Sequence, residues 1–255
     1  MNCKLISVFC LLIAAPAVAT LRAADDFEAL VFQDNNQSLP YRLCKPAGYD
    51  PQKQYPLVLF LHGAGERGTD NRAQLRHVAR TFAAKENQLK FPCFVVAPQC
   101  PSNAKWVEVN WSAGSNRQPE QPSQPMALAI KLLAELEKKY SIDSKRLYVI
   151  GLSMGGFGTW DAISRYPDLF AAAVPICGGG DETRAAAIAR IPVWVFHGGN
   201  DGTVKTIRSR NMVAALQKAG GQPKYTEYAG VGHGCWARAA QEPELLPWLF
   251  AQKRP

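Results

Sequence analysis

Three residues of this chain, taken in order, have the makings of an activated hydroxyl. Ser153 lies in Gly151-Leu152-Ser153-Met154-Gly155, Asp201 in "HGGND", and His233 in "GVGHGCW". A serine hydroxyl is a weak nucleophile until a base takes its proton, and a neutral imidazole is suited to that task. A carboxylate must then hold the ring and stabilise the imidazolium. Ser153 is therefore the candidate nucleophile, His233 the base and Asp201 the acid, and the chemistry would be attack on an acyl carbon. Asp181 is the rival acid, ranked below Asp201 because it comes one strand too early.

The surroundings of Ser153 carry a physical demand. A serine in G-x-S-x-G must sit on a tight strand-to-helix turn, and Gly151 and Gly155 remove side chains that would collide there. Gly156 lets the helix approach the strand. The start of that helix offers N–H groups to a developing oxyanion. Met154 supplies one such donor, and by position Ala64 in "LHGAGERG" supplies the second. Glu66 and Arg67 of the same turn are either a bracing ion pair or a solvated one. Of the other histidines, His62 and His197 directly follow apolar runs and read as ligands of loop backbone. His77, with Arg76 and Arg80 nearby, reads as surface.

For the three groups to meet, strands and helices must alternate around them. From residue 27, "FEALVFQDNNQSLPYRLCKPAGYD" reads as two antiparallel strands about a polar turn. "LVLFLHGAG", "CFVVAPQC", "RLYVIG", "AAAVPICGG" and "PVWVFHGG" are apolar runs of the kind that strands buried on both faces show, and "KYTEYAG" is a last strand. Helical stretches are expected over 71–87, 126–140 and 154–166, and in "DETRAAAIAR", "TIRSRNMVAALQKAG" and "PELLPWLFAQ". The alternation predicts an α/β fold with a mostly parallel central sheet, helices on both faces and antiparallel N-terminal strands. The connection between "AAAVPICGG" and "PVWVFHGG" is too short for a large lid. No internal repeat and no linker is visible, which predicts one domain over residues 20–255.

Composition narrows the class. Of 255 residues, 47% are hydrophobic and 20% charged, an ordinary globular balance. The net charge of +8 is scattered, as in "RGTDNRAQLRHVARTFAAK", and no nucleic-acid motif accompanies it. Residues 1–19 read as a signal peptide: Lys4, then "LISVFCLLIAAPAVA" with a small-x-small site at Ala17-Val18-Ala19. The apolar run is too short for a convincing membrane anchor. A secreted or periplasmic location follows. Cys44, Cys93, Cys100, Cys177 and Cys235 remain after cleavage, and their spacing matches no zinc pattern. An odd count leaves at least one thiol unpaired within the chain; Cys177 and Cys235 are candidates for a bridge that would steady the histidine loop. No metal or cofactor is called for.

With "LHGAGERG", "GLSMGG", "HGGND" and "GVGH" in this order, the chain resembles secreted α/β-hydrolase esterases of the group containing feruloyl and acetylxylan esterases and polyhydroxybutyrate depolymerase-like proteins. It is also similar to the catalytic domain of prolyl-oligopeptidase-type peptidases. The resemblance implies hydrolysis of an ester, free or polysaccharide-linked, through an acyl-enzyme, with Ser153, Asp201 and His233 as the triad. A serine peptidase is the alternative, although no Glu-Glu pair for a peptide amine terminus is evident; a non-catalytic glycan-binding homologue is another. The long connection 101–125 carries Trp106 and Trp111, and Trp236 follows the histidine loop. These three either stack on a sugar or aryl acid of the substrate or pack the loops against the body. Trp160, Trp194 and Trp248 read as core.

Overall fold

The computed structural model describes residues 27–255; the expected signal peptide lies outside the described residues. The sheet has eight strands: β1 (Glu28–Asp34), β2 (Gln37–Cys44), β3 (Tyr55–Leu61), β4 (Phe94–Pro98), β5 (Ile142–Leu152), β6 (Ala172–Ile176), β7 (Trp194–Gly198) and β8 (Lys224–Tyr228). Their spatial order is β1-β2-β4-β3-β5-β6-β7-β8. The β1–β2 and β2–β4 pairs are antiparallel, and every pair from β4–β3 to β7–β8 is parallel. This is the expected α/β-hydrolase arrangement of an open, mostly parallel sheet with antiparallel strands at its N-terminal edge.

The central strands are apolar throughout because both faces are covered. Alternate residues of β3 go to opposite sides: Leu57, Leu59 and Leu61 pack in one core, and Val58 and Phe60 in the other. Helices α1 (Ala79–Ala83) and α2 (Lys85–Lys90) come first, followed by α3 (Gln124–Lys139), α4 (Met154–Arg165), α5 (Ala185–Ile188) and α6 (Ile207–Lys218). Short α7 (Trp236–Ala239) and α8 (Leu245–Phe250) close the chain. Residues of α3, α4, α5 and α6 fill the first core; α1, α7 and α8 cover the second. Helix α3 begins where Ser123 caps it, its side chain accepting the Met126 N–H, with Pro125 in the first turn.

One expectation is corrected in detail. The stretch 71–87 is a 3-10 turn at Ala73–Leu75 followed by α1 and the start of α2, not one helix. The break falls at Ala84, whose φ of −56° and ψ of 132° are extended. Thr81 and Asn87 meet across it, the Asn87 amide donating to the Thr81 carbonyl. Periodicity alone does not register such a local side-chain bond to backbone.

Candidate active site

Every candidate group stands at the C-terminal end of a parallel strand, where loops can converge without being covered by helices. Strand β5 ends at Leu152 and α4 begins at Met154, so Ser153 alone makes the turn. Its φ of 53° and ψ of −116° are strained for a residue with a Cβ. The turn is this tight because backbone touches backbone. A Cβ on Gly155 would lie 1.9 Å from the Leu61 carbonyl oxygen, and one on Gly151 would lie 2.1 Å from that of Gly155. A Cβ on Gly156 would meet the Ile176 oxygen at 2.5 Å, so α4 also presses on β6.

Asp201 sits in the loop after β7 and His233 opens a 3-10 turn after β8. The two loops are bonded to each other: Asn200 N–H donates to the Val231 carbonyl at 2.9 Å, and Gly199 N–H to that of Tyr228 at 2.9 Å. Across this junction Ser153 Oγ lies 2.8 Å from His233 Nε2, and His233 Nδ1 lies 2.7 Å from Asp201 Oδ2. Asp201 Oδ1 accepts the N–H groups of Thr203 and Val204 at 2.8 and 2.9 Å. Burial raises the Asp201 carboxyl, but hydrogen bonds from His197, His233 and the two amides outweigh it and hold the group below the usual carboxylate range. The Asp201 side chain is fully buried, while His233 keeps 20% of its side chain exposed. Asp181, the rival, is elsewhere occupied: it caps the turn at Thr183 and accepts the Gln118 N–H.

Met154 is the first residue of α4 and Ala64 the first of the 3-10 turn Ala64–Glu66, so neither N–H has an acceptor inside its own helix. The Ala64 turn is anchored by His62. His62 Nε2 accepts the Cys100 N–H at 2.9 Å, and Nδ1 lies 2.6 Å from the Gly63 carbonyl, which it can only meet as a donor. Burial pushes this imidazole down to about 4. Arg67 donates to the carbonyls of Ala64 and Ala104 at 3.0 and 3.2 Å rather than pairing with Glu66. Glu66 instead lies 3.4 Å from His77, whose ring also leans on Trp236. His77 is thus more engaged than a free surface residue.

The three candidate tryptophans separate. Trp106 is fully buried; its Nε1–H donates to the His62 carbonyl at 3.0 Å, and its Cβ would lie 2.6 Å from one on Gly158. The expectation that Trp106 meets substrate is therefore corrected: it is a plug between the connection, β3 and α4, with no surface to offer. Trp111 is half-buried on the small apolar cluster of Val107, Val109, Phe157 and Val204, with Lys105 5.0 Å from its ring. Trp236 is half-buried and stands edge-on to His233, ring centroids 5.3 Å apart at 88°. Cys93, Cys100, Cys177 and Cys235 are free thiols. Cys177 and Cys235 form no bridge; burial, with Cys235 beside it, pushes the Cys177 thiol up. Trp160 is buried in the core as expected.

Sequence comparison bears on this arrangement. The Esterase family model matches residues 33–178, and that of the dienelactone hydrolase family matches residues 113–245. The chain belongs to the esterase family. A solved thermostable esterase is 44% identical, superposes with a TM-score of 0.85, and is matched over 90% of this chain and 64% of its own. Poly(3-hydroxyalkanoate) depolymerase C of Paucimonas lemoignei is 32% identical over 174 residues, 66% of this chain and 39% of the depolymerase. This esterase-family chain thus spans about two fifths of that relative and less than two thirds of the solved esterase. A ferulic acid esterase from Anaeromyces mucronatus, solved with ferulic acid, shares the fold at 18% identity and a TM-score of 0.62, covering 89% of this chain and 90% of its own. No helix among the described residues is long and apolar enough to cross a membrane.

Proposed function

We propose that the chain is a serine carboxylesterase acting through an acyl-enzyme. The observation that carries this reading is the continuous chain Ser153–His233–Asp201, with both hydrogen bonds at 2.8 Å or less. In the first half-reaction Ser153 Oγ attacks the ester carbonyl carbon while His233 Nε2 takes the hydroxyl proton. Asp201 stabilises the resulting imidazolium through Nδ1–H. The oxyanion is held by the N–H groups of Met154 and Ala64. The intermediate collapses, the C–O bond to the alcohol breaks, and His233 returns the proton to the leaving oxygen. Water then repeats the sequence, its proton passing to His233 and back to Ser153 as the acid departs.

Feruloyl or acetyl esters on plant polysaccharide are the proposed substrate class, with residues 20–255 as the catalytic unit of an exported protein. The partly exposed His233 and the neighbouring Trp236 support an acyl group or sugar approaching from solvent. Trp111 is the second proposed contact.

Purified mature protein would be assayed on p-nitrophenyl acetate and butyrate, methyl ferulate, acetylated xylan and a prolyl p-nitroanilide peptide. Ester turnover that falls at least ~10⁴-fold in Ser153→Ala is the expected result. Cleavage of the anilide alone would move the chain to the peptidases. Equal ester turnover in Ser153→Ala would refute the assignment.

A further inference from the structure

Asp201 has a second imidazole partner that the catalytic scheme does not use. His197 is the fourth residue of β7, fully buried, and its Nε2 lies 3.2 Å from Asp201 Oδ2. The same nitrogen lies 3.0 Å from the Val204 carbonyl oxygen. Both neighbours are acceptors, so Nε2 must carry a hydrogen. The other ring nitrogen, Nδ1, lies 2.7 Å from the Ser209 hydroxyl on α6. That hydroxyl has one hydrogen and its oxygen also lies 3.1 Å from the Gly178 carbonyl, so it donates either to that carbonyl, accepting from Nδ1, or to Nδ1 itself.

Two proton arrangements satisfy these distances. In one, both ring nitrogens carry hydrogen and His197 is a cation. In the other, Ser209 donates to Nδ1 and the ring is neutral. The role proposed for Asp201 chooses between them. A fixed positive charge 3.2 Å from the carboxylate would cancel the negative charge on which the His233 imidazolium depends. A neutral donor orients the carboxylate without cancelling it. The other charged group beside His197 is Glu227, its register partner on β8, and that carboxylate is already held by Arg210 and Tyr225.

The carboxylate is thus gripped on both oxygens. Oδ1 takes two backbone N–H groups, and Oδ2 takes His233 on one side and faces, at 3.2 Å on the other, the His197 Nε2–H that also serves the Val204 carbonyl. Resting on the esterase reading above, we propose that His197 is a positioning residue of the catalytic centre, sharing its Nε2–H between the Val204 carbonyl and Asp201 Oδ2 and thereby aiming that oxygen at His233. Ser209 fixes the tautomer. The geometry also links α6 to the triad through the Ser209–His197 contact.

The test uses the whole protein and a reagent that does not depend on knowing the ester. Diisopropyl fluorophosphate modifies an activated serine, so its rate of reaction with Ser153 reports activation directly. His197→Phe keeps a ring of similar bulk and removes the donor; His197→Gln carries an amide N–H at about the same reach. The expected result is a loss of about 10–10²-fold in modification rate and in kcat for p-nitrophenyl acetate in the Phe variant, at little change in KM. The Gln variant should recover most of it. Equal rates in wild type and the Phe variant would overturn the proposal, as would Gln and Phe variants that lose activity equally. Should the Phe variant fail to fold, ¹⁵N spectra of histidine-labelled wild type decide: His197 protonated at Nε2 and bare at Nδ1 supports the role, and a doubly protonated ring refutes it. Failure of wild-type Ser153 to react at all would count against the esterase reading itself, while the spectra would still report on His197.

Discussion

His62 ties the stability of this protein to pH in a way that can be measured apart from activity. Its Nε2 accepts the Cys100 N–H at 2.9 Å, and its Nδ1 faces the Gly63 carbonyl at 2.6 Å. A proton added to Nε2 would point at an amide hydrogen that cannot turn away. Burial lowers the imidazole from 6.5 to about 4 in the fold. The neutral form is therefore the native one. At pH above 6.5 both folded and unfolded chains hold the ring neutral, and the stabilisation from this site is complete. Below that pH the unfolded chain takes up the proton first, and stability falls until the folded ring also protonates near 4. The gap corresponds to ~3 kcal/mol lost on acidification, a large share of a typical domain's stability. Urea unfolding followed by tryptophan fluorescence, from about pH 7.5 down to about pH 4, would measure it. In His62→Gln the amide oxygen can still accept from Cys100 but does not titrate, so the acid-induced loss should be smaller than in wild type by about 3 kcal/mol. Parallel stability curves for the two proteins would refute the reasoning.

Gly155→Ala should lower Tm by roughly 6–12 °C, because its Cβ falls 1.9 Å from the Leu61 oxygen and neither partner can swing aside; differential scanning calorimetry measures this. Gly114→Ala, with nothing within 4 Å of its Cβ, is the control expected to leave Tm unchanged. Trp106→Phe removes the donor to the buried His62 carbonyl and should cost about 1–3 kcal/mol in urea unfolding while leaving KM for small esters unchanged. A rise of KM with unaltered stability would instead return Trp106 to the substrate site.

Most of the fold was legible because burial on both faces leaves a one-dimensional record. The runs of β3, β4 and β6 carry no charged residue and β7 only His197, and each proves wholly buried. The glycines around Ser153 were legible for a related reason: a strand that turns into a helix within one residue leaves no room for side chains, wherever it occurs. The order of Ser153, Asp201 and His233 was likewise written in the chain, each after a strand-like run.

What no linear pattern carries is which side of an irregular segment faces inward. Trp106 and Trp111 lie five positions apart in the same connection, yet one is a buried plug under His62 and the other a half-exposed cover over Phe157. Without a repeating dihedral there is no period from which to read burial. The same holds for His197, which reads as a ligand of loop backbone and does reach the Val204 carbonyl. Its approach to Asp201 depends on how far the chain turns back within the four residues from His197 to Asp201, and its tautomer depends on Ser209, twelve positions away on another element. Residue types and their order specify which groups are available; only the tertiary fold sets the ångström distances that decide what each group can donate to.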